Sequence, residues 1–373
     1  RIHGMEILKT GLIFRNPIPH VHSVHAYFPS VVSMDNGEML ATAVLGEAFE
    51  SPNMCTHVFR STDGGAAWKH EGPLYPGVQG RLVSDASRVT ALGGGNLVTF
   101  TVRHDRTQHP DEGLTNPETL GFVPTELCLF RSADYGRSWR GPDVFKPPLE
   151  GPSFELCCPI TVLGDGRWIL PTSTWQAWDG YCPNGIRTIA LVSEDAGKTW
   201  PGYWNVMVDP NGATYFWESK IVELPDGTLL AMAWAYDAAA KEDRPNQYAL
   251  SCDGGKTWTP PASTGLEGQT LTPMALGGGR ILCVYRRIDM PGLWACLAHL
   301  QDGAWVTQEQ VPLWGAGACG LTGTSANMSQ NFNVLRFGAP CLTRTPQGEI
   351  FVAFWCYEDC VSVIRWFTLA VAN

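Results

Sequence analysis

Short apolar runs alternate along the chain with glycine-centred turns, and the alternation is periodic. The first example reads Pro29-Ser-Val-Val-Ser-Met-Asp-Asn-Gly37-Glu-Met-Leu-Ala, an apolar run, a tight turn and a second apolar run. The same phrase returns around Gly95, Gly166, Gly227, Gly279 and Gly348. Asn-Gly, Asp-Gly and Gly-Gly between apolar runs signal β-hairpins, because such turns need positive φ. The turn glycines are separated by 58, 71, 61, 52 and 69 residues, so six units of about 60 fill the chain. Repeats of this size build one domain from many small units. The pattern predicts an all-β fold, a six-bladed β-propeller of four-stranded antiparallel blades, as a single domain over residues 1–373.

A second phrase closes four of the units. It reads Ser61-Thr-Asp63-Gly-Gly65-Ala-Ala-Trp68, and recurs at Ser132–Trp139, Ser193–Trp200 and Ser251–Trp258. Gln301-Asp302-Gly303-Ala-Trp305 looks like a worn fifth copy. In each, an Asp side chain can bond turn amides while the Trp packs on a neighbouring sheet. The 15 Trp and 40 Gly fit such a fold, with glycine in the turns and aromatics between sheets.

Ser-x-Asp-x-Gly-x-x-Trp resembles the Asp-box of the sialidase superfamily of six-bladed propellers, and four copies in phase make the resemblance specific. The resemblance implies a structural role for these turns at the blade periphery. It also implies that the early strand Ile7–Phe14 pairs into the last blade and closes the ring.

Charge and cysteine usage narrow the class. The formal net charge is −10 and no basic block occurs, so a surface that tracks nucleic-acid phosphates is not expected. No apolar run reaches the roughly 18–20 residues that span a bilayer, so no membrane partner is expected. The first residues show no signal-peptide core, and residues 1–4 read as a tag remnant ahead of Met5. The 12 cysteines are scattered, mostly within apolar runs, with no Cys-x-x-Cys pair. They read as free thiols of a cytoplasmic protein without a thiolate metal site. No cofactor and no metal is expected; the oligomeric state is open.

Functional residues of a propeller are expected where each unit's first strand begins and its second strand ends. Charged, polar and aromatic residues gather there: His25, Tyr27, Phe28, Arg81, Asp85, Arg88, Glu155, Trp217, Glu218, Gln269, Arg336 and Phe337 at the starts, and Glu47, Glu50, Arg103–Arg106, Trp175, Gln176, Trp234, Tyr236, Asp237, Arg286, Arg287, Tyr357 and Glu358 at the ends. Such a set suits a sugar-binding funnel. Carboxyl pairs are the general requirement of glycosidases, one protonated and one ionised. We take Glu47, Glu218, Asp85 and His25 as catalytic candidates. Arg15, His22, Arg88, Arg103, Arg106, Glu155, Trp175, Trp234, Asp237, Arg286, Arg287 and Tyr357 are taken as substrate-binding candidates.

The sialidase resemblance adds roles. Phe14-Arg15-Asn16-Pro17 is similar to that family's Phe/Tyr-Arg-x-Pro motif, which implies that Arg15 grips a substrate carboxylate. Glu218 occupies the slot of the glutamate that activates the family's tyrosine, Glu47 stands near its acid/base position, and Arg286 or Arg287 matches a further arginine. The chain departs from the pattern at Phe337-Gly-Ala-Pro340, where the tyrosine is expected, and at Trp234-Ala-Tyr236-Asp237, where an arginine is expected. The leading expectation is therefore an exo-acting glycoside hydrolase of sialidase-like type acting on another, acidic sugar. A polysaccharide lyase using His22, His25, His104 or a Tyr, and a non-catalytic carbohydrate-binding propeller, stay open beside it.

Two further expectations concern loops. His20-Val-His22-Ser-Val-His25, read as extended, places His20 and His22 on one face and His25 on the other. The insertion His109–Glu118 reads as a lid whose deletion leaves stability nearly unchanged.

Overall fold

The computed structural model describes residues 4–317 and 334–373. Most of the proposed tag remnant, residues 1–3, lies outside the described residues. All regular structure described is β, in six antiparallel sheets, the blades of a six-bladed β-propeller. The chain divides into two compact units, residues 1–145 with 336–373, and residues 146–335.

The first unit holds three sheets. One runs β2 (His25–Ser33), β3 (Met39–Gly46), β4 (Cys55–Ser61), β5 (Lys69–Pro73). The next runs β6 (Val83–Gly93), β7 (Asn96–Asp105), β8 (Thr125–Ser132), β9 (Arg140–Phe145). The third joins distant segments: β1 (Met5–Phe14) pairs with β25 (Val361–Val371), followed by β24 (Ile350–Glu358) and β23 (Phe337–Arg344). The expected pairing of the early strand into the last sheet is present, from Met5↔Val371 to Phe14↔Ile364.

The second unit holds the other three. β12 (Trp168–Trp175) is flanked by the short β10 (Ser153–Phe154) and β11 (Thr161–Val162), then by β13 (Thr188–Ser193) and β14 (Gly202–Met207). β15 (Thr214–Glu223), β16 (Leu229–Asp237), β17 (Glu242–Ser251) and β18 (Ala262–Ser263) form the second sheet. β19 (Gly268–Gly277), β20 (Arg280–Arg287), β21 (Leu293–Gln301) and β22 (Ala304–Trp314) form the third.

The second strand of each sheet is the most deeply covered. Every residue of β3 is buried, as are Leu229–Ala235 of β16 and Ile350–Cys356 of β24. Strands covered on both faces read as continuous apolar runs, which is why these segments dominate the sequence pattern.

The four Ser–Asp phrases lie between the third and fourth strands of their sheets and share one hydrogen-bond plan. Ser61 Oγ donates to Asp63 Oδ1 at 2.8 Å and accepts from Gly65 N–H at 2.9 Å, while Asp63 Oδ1 accepts from Ala67 N–H at 3.0 Å. Ser251, Asp253, Gly255 and Thr257 repeat it at 2.9 Å for each bond. Gly255 has φ +94°, and a Cβ there would stand 2.4 Å from the Trp204 ring, so glycine is required. These bonds close each turn on itself. The Asp302-Gly303 segment is instead a two-residue hairpin between β21 and β22, both residues at positive φ.

Four sheets share a defect in the first strand. Pairing slips between Tyr27 and Ser30, Trp217 and Lys220, Gln269 and Thr272, and Gly338 and Cys341. Each slip contains one non-glycine residue in the left-handed region: Phe28 (φ 51°), Glu218 (52°), Thr270 (51°) and Ala339 (47°). Each stands nine residues before its turn glycine. A bulge of this kind re-aims the side chains beside it, and recurs next to functional sites. In the sheet of β12 the same interval falls on Cys157, where the strand is interrupted altogether; in β6 it falls on Ala86, which pairs in regular register with Val102.

Candidate functional site

In the second unit the bulge of β15 sets a cluster of charge. Glu218 N–H donates to Glu155 Oε2 at 2.9 Å, and the Glu218 carboxylate lies 3.6 Å from Lys220 Nζ. Lys220 is only 8% exposed. Low-dielectric surroundings, then the facing Glu218 carboxylate, push the Glu155 carboxyl up to about 7, against weaker opposing pulls from the Glu218 amide and Lys220. Arg286, 3% exposed, donates from Nε to Gln269 Oε1 at 2.8 Å. Gln269 Nε2 in turn donates to Asp243 Oδ2 at 2.7 Å, and Trp234 Nε1 donates to Asp243 Oδ1. Burial lowers Arg286 to about 10, opposed by the attraction of Glu218 and Asp243, so it is still a cation at neutral pH. Burial raises the Asp243 carboxyl, opposed by its bonds to Trp234 and Gln269.

Aromatic rings border this cluster. Trp217 packs on Trp234 with centroids 5.0 Å apart, edge-on to Trp175 at 5.7 Å, and beside Tyr236 at 5.3 Å. Trp217 and Trp234 are 6% and 3% exposed, so they pack inside the unit. Trp175, Tyr215 and Tyr236 are the partly open members able to meet a sugar face.

The first unit holds a different constellation. The hydroxyls of Tyr27 and Tyr357 are 2.6 Å apart. Ser362 N–H donates to His25 Nδ1 at 3.2 Å, and the Tyr27 hydroxyl is 3.4 Å from the same nitrogen. That acceptor role fixes the proton of neutral His25 on Nε2. Burial lowers the His25 pKa and so favours the neutral ring. Tyr27 is fully buried, and burial, then Tyr357, raise its pKa far beyond the ordinary range. Arg336 sits over the Tyr357 ring at 5.6 Å.

The other candidates are placed as follows. Glu47 is exposed just beyond β3, in a turn that Asn53 and Ser23 brace through its backbone. Asp85, 4% exposed, accepts Thr56 N–H at 2.8 Å, joining the first two sheets of its unit. Arg88 donates to Phe28 O at 3.1 Å, and Arg103 to Glu126 at 2.6 Å. Arg106, 1% exposed, donates to Glu50 O, Glu112 O and Ser84 Oγ, a structural clamp. His104 is buried, which lowers it to about 3 and keeps it neutral. Asp237 caps the β16–β17 turn through Ala239 and Ala240 N–H, Arg287 pairs with Asp289 through two bonds, and Arg15 lies 3.8 Å from Asp359.

Two loop expectations are corrected. His20 sits in a turn, because Asn16 Oδ1 accepts Ile18 N–H at 2.9 Å and Asn16 Nδ2 donates to His22 O at 2.6 Å. His20, His22 and His25 consequently line one cavity. The insertion is tied into the fold: Glu50 accepts Thr115 N–H at 3.0 Å and Thr115 Oγ1 at 2.9 Å, and Thr115 bridges Phe122.

Sequence reasoning missed Lys220 and Asp243. A lone lysine inside the run Phe216–Val222 was a signal for the first. Among the described residues no group of three His, Cys, Asp or Glu is disposed to hold a metal ion, and no helix is long and apolar enough to cross a membrane.

No protein-family model matches the chain, and no curated protein is similar enough in sequence to match. Solved structures do resemble it. A Dyadobacter fermentans protein of unknown function superposes with a TM-score of 0.74 at 21% identity, covering 100% of both chains. The Ruminococcus gnavus intramolecular trans-sialidase gives 0.61 at 15%, covering 92% of this chain and 94% of that one. Trypanosoma rangeli sialidase in complex with sialic acid gives 0.63 at 16%, covering 92% of this chain and 54% of that one, so the chain spans about half its length. At these identities the likeness is one of fold: this is the six-bladed propeller on which sialidases and trans-sialidases are built.

Proposed function

We propose that the chain is an exo-acting glycoside hydrolase that removes a terminal acidic sugar, with Glu155 as proton donor and Glu218 as its ionised partner. The observation that carries this reading is the Glu155–Glu218–Lys220 cluster. One carboxyl is held protonated toward neutrality, while the other lies beside a buried ammonium. Two carboxyls whose surroundings separate their protonation are the usual acid/base assignment of a glycosidase. The Arg286 and Lys220 cations favour an anionic substrate, and the fold shared with sialidases supports a terminal sugar.

The test is sugar release from a panel of aryl glycosides and acidic oligosaccharides. Glu218→Gln and Glu155→Gln are each expected to lower turnover by about 100- to 10,000-fold. Release that survives both substitutions would sink the reading.

The 2.6 Å Tyr27–Tyr357 contact favours a second reading, a polysaccharide lyase. Tyr357 as phenolate would take the proton beside a uronate carboxylate. The bond to the leaving sugar oxygen then breaks, a carbon–carbon double bond forms, and His25 Nε2–H or water protonates that oxygen. The same panel separates the two, because elimination yields an unsaturated, ultraviolet-absorbing product and hydrolysis does not.

A further inference from the structure

We propose that the cavity between the Asn16–Ser23 loop and the β24–β25 turn is a binding site for a single sugar acid. The cavity is about 200 Å³ and is lined by His20, His22, His25, Ser23, Cys360 and Val361 among others. That is below the roughly 300 Å³ at which drug-sized sites begin, which suits one monosaccharide and not a chain.

Its walls are preorganised. Asn16, 2% exposed, ties both ends of the loop through its bonds to Ile18 and His22, and Ser23 Oγ donates to Glu47 O at 2.9 Å. The opposite wall is a two-residue turn in which Asp359 and Cys360 both hold positive φ, 51° and 65°. Neither is glycine, so the backbone is held there at a cost.

The polar groups lining the cavity select an oxygen-rich anion. His25 Nδ1 accepts Ser362 N–H, leaving Nε2–H as a donor, and among the described residues Nε2 has no partner within the protein. Three imidazoles line the cavity; Asp359, in the wall turn, is not among the lining residues and its side chain lies 3.8 Å from Arg15. A carboxylate accepts from such donors and meets no carboxylate among the lining residues; a neutral sugar gains less. Because His25 also neighbours Tyr27, the ligand would sit beside the Tyr27–Tyr357 pair. The choice of probe rests on the reading of this protein as acting on acidic sugars, but the site does not depend on which acid/base group turns over.

Protein labelled with ¹⁵N at histidine, titrated with D-glucuronate and separately with D-glucose, tests the site by imidazole resonances. Glucuronate is expected to shift the His25 Nε2–H signal saturably, and glucose at equal concentration to leave it in place. Replacing both exposed loop histidines, His20→Ala with His22→Ala, is expected to weaken glucuronate about tenfold without unfolding the chain. An unshifted His25 signal, or unchanged affinity in the double variant, overturns the proposal. Since the readout is binding, a protein that turns over no glycoside still answers it.

Discussion

The two units solve the same problem, polar side chains in poor solvent, in opposite ways. Around Tyr27 burial is met by neutrality: the phenol stays protonated, the imidazole is pushed toward its uncharged form, and hydrogen bonds join them. Around Glu218 burial is met by pairing: Lys220 and Arg286 stand in for lost water, and Glu155 holds its proton where compensation runs short. Hydrogen bonding among neutral groups and pairing among charged ones are two ways to offset the same desolvation.

The sharpest way to break this contrast is to neutralise one centre at a time. Glu218→Gln is expected to lower hydrolysis to about 1% of wild type or less, while Tyr357→Phe leaves most of it. The reverse order in a steady-state assay would move the chemistry to the first unit. Next in size, Lys220→Met removes the cation beside Glu218. It should cut kcat about tenfold and shift the basic limb of the pH–rate profile upward, since a positive charge that held Glu155 down is gone. An unmoved limb would mean Lys220 only fills space.

Stability separates the regions further. Breaking the Glu50–Thr115 tie with Thr115→Val should cost about 1–3 kcal/mol in denaturant unfolding, because the buried carboxylate loses a partner. Glu155 has its own signature: its folded pKa lies above the unfolded value. Its contribution is therefore greatest below about 4 and declines as pH rises through about 7. Glu155→Gln should flatten that slope. The smallest effects concern backbone and surface. Ala339→Gly at the bulge of β23 should add about 1 kcal/mol by relieving a left-handed alanine. Asp134, Asp195 and Asp253 are held down to about 2 by their turn hydroxyls and amides. Their stabilisation is present above about pH 4 and lost as pH falls toward 2, visible as a shallow acid limb in thermal melts.

Fold and site were unequally legible. Hairpin glycines and Ser–Asp phrases are local signals that repeat, so Gly37 through Gly348 mark every sheet in the sequence itself. Glu218 was legible too, and aligning the repeats on their turn glycines would have shown it sharing a slot with Phe28, Thr270 and Ala339. Asp243 was not. It stands on the third strand, and reaches Trp234 and Gln269 through a register shift between Ala233 and Ala235 that no residue pattern announces. Tyr27 and Tyr357 lie 330 residues apart in sequence, so their contact is a product of tertiary pairing alone. Arg106 misled in the opposite sense, because a cation placed among funnel candidates proved to be a clamp for backbone carbonyls.

The pairing of Met5 with Val371 carries a consequence for biosynthesis. At about 5–20 residues per second, ribosomes would need roughly 20–70 s to deliver β25 after β1 has emerged. Throughout that interval β1 is a nascent strand without its partner, its amides open to any passing edge. The sheet that joins them is the last of the six whose strands are all available, and its maturation is set by the clock of translation.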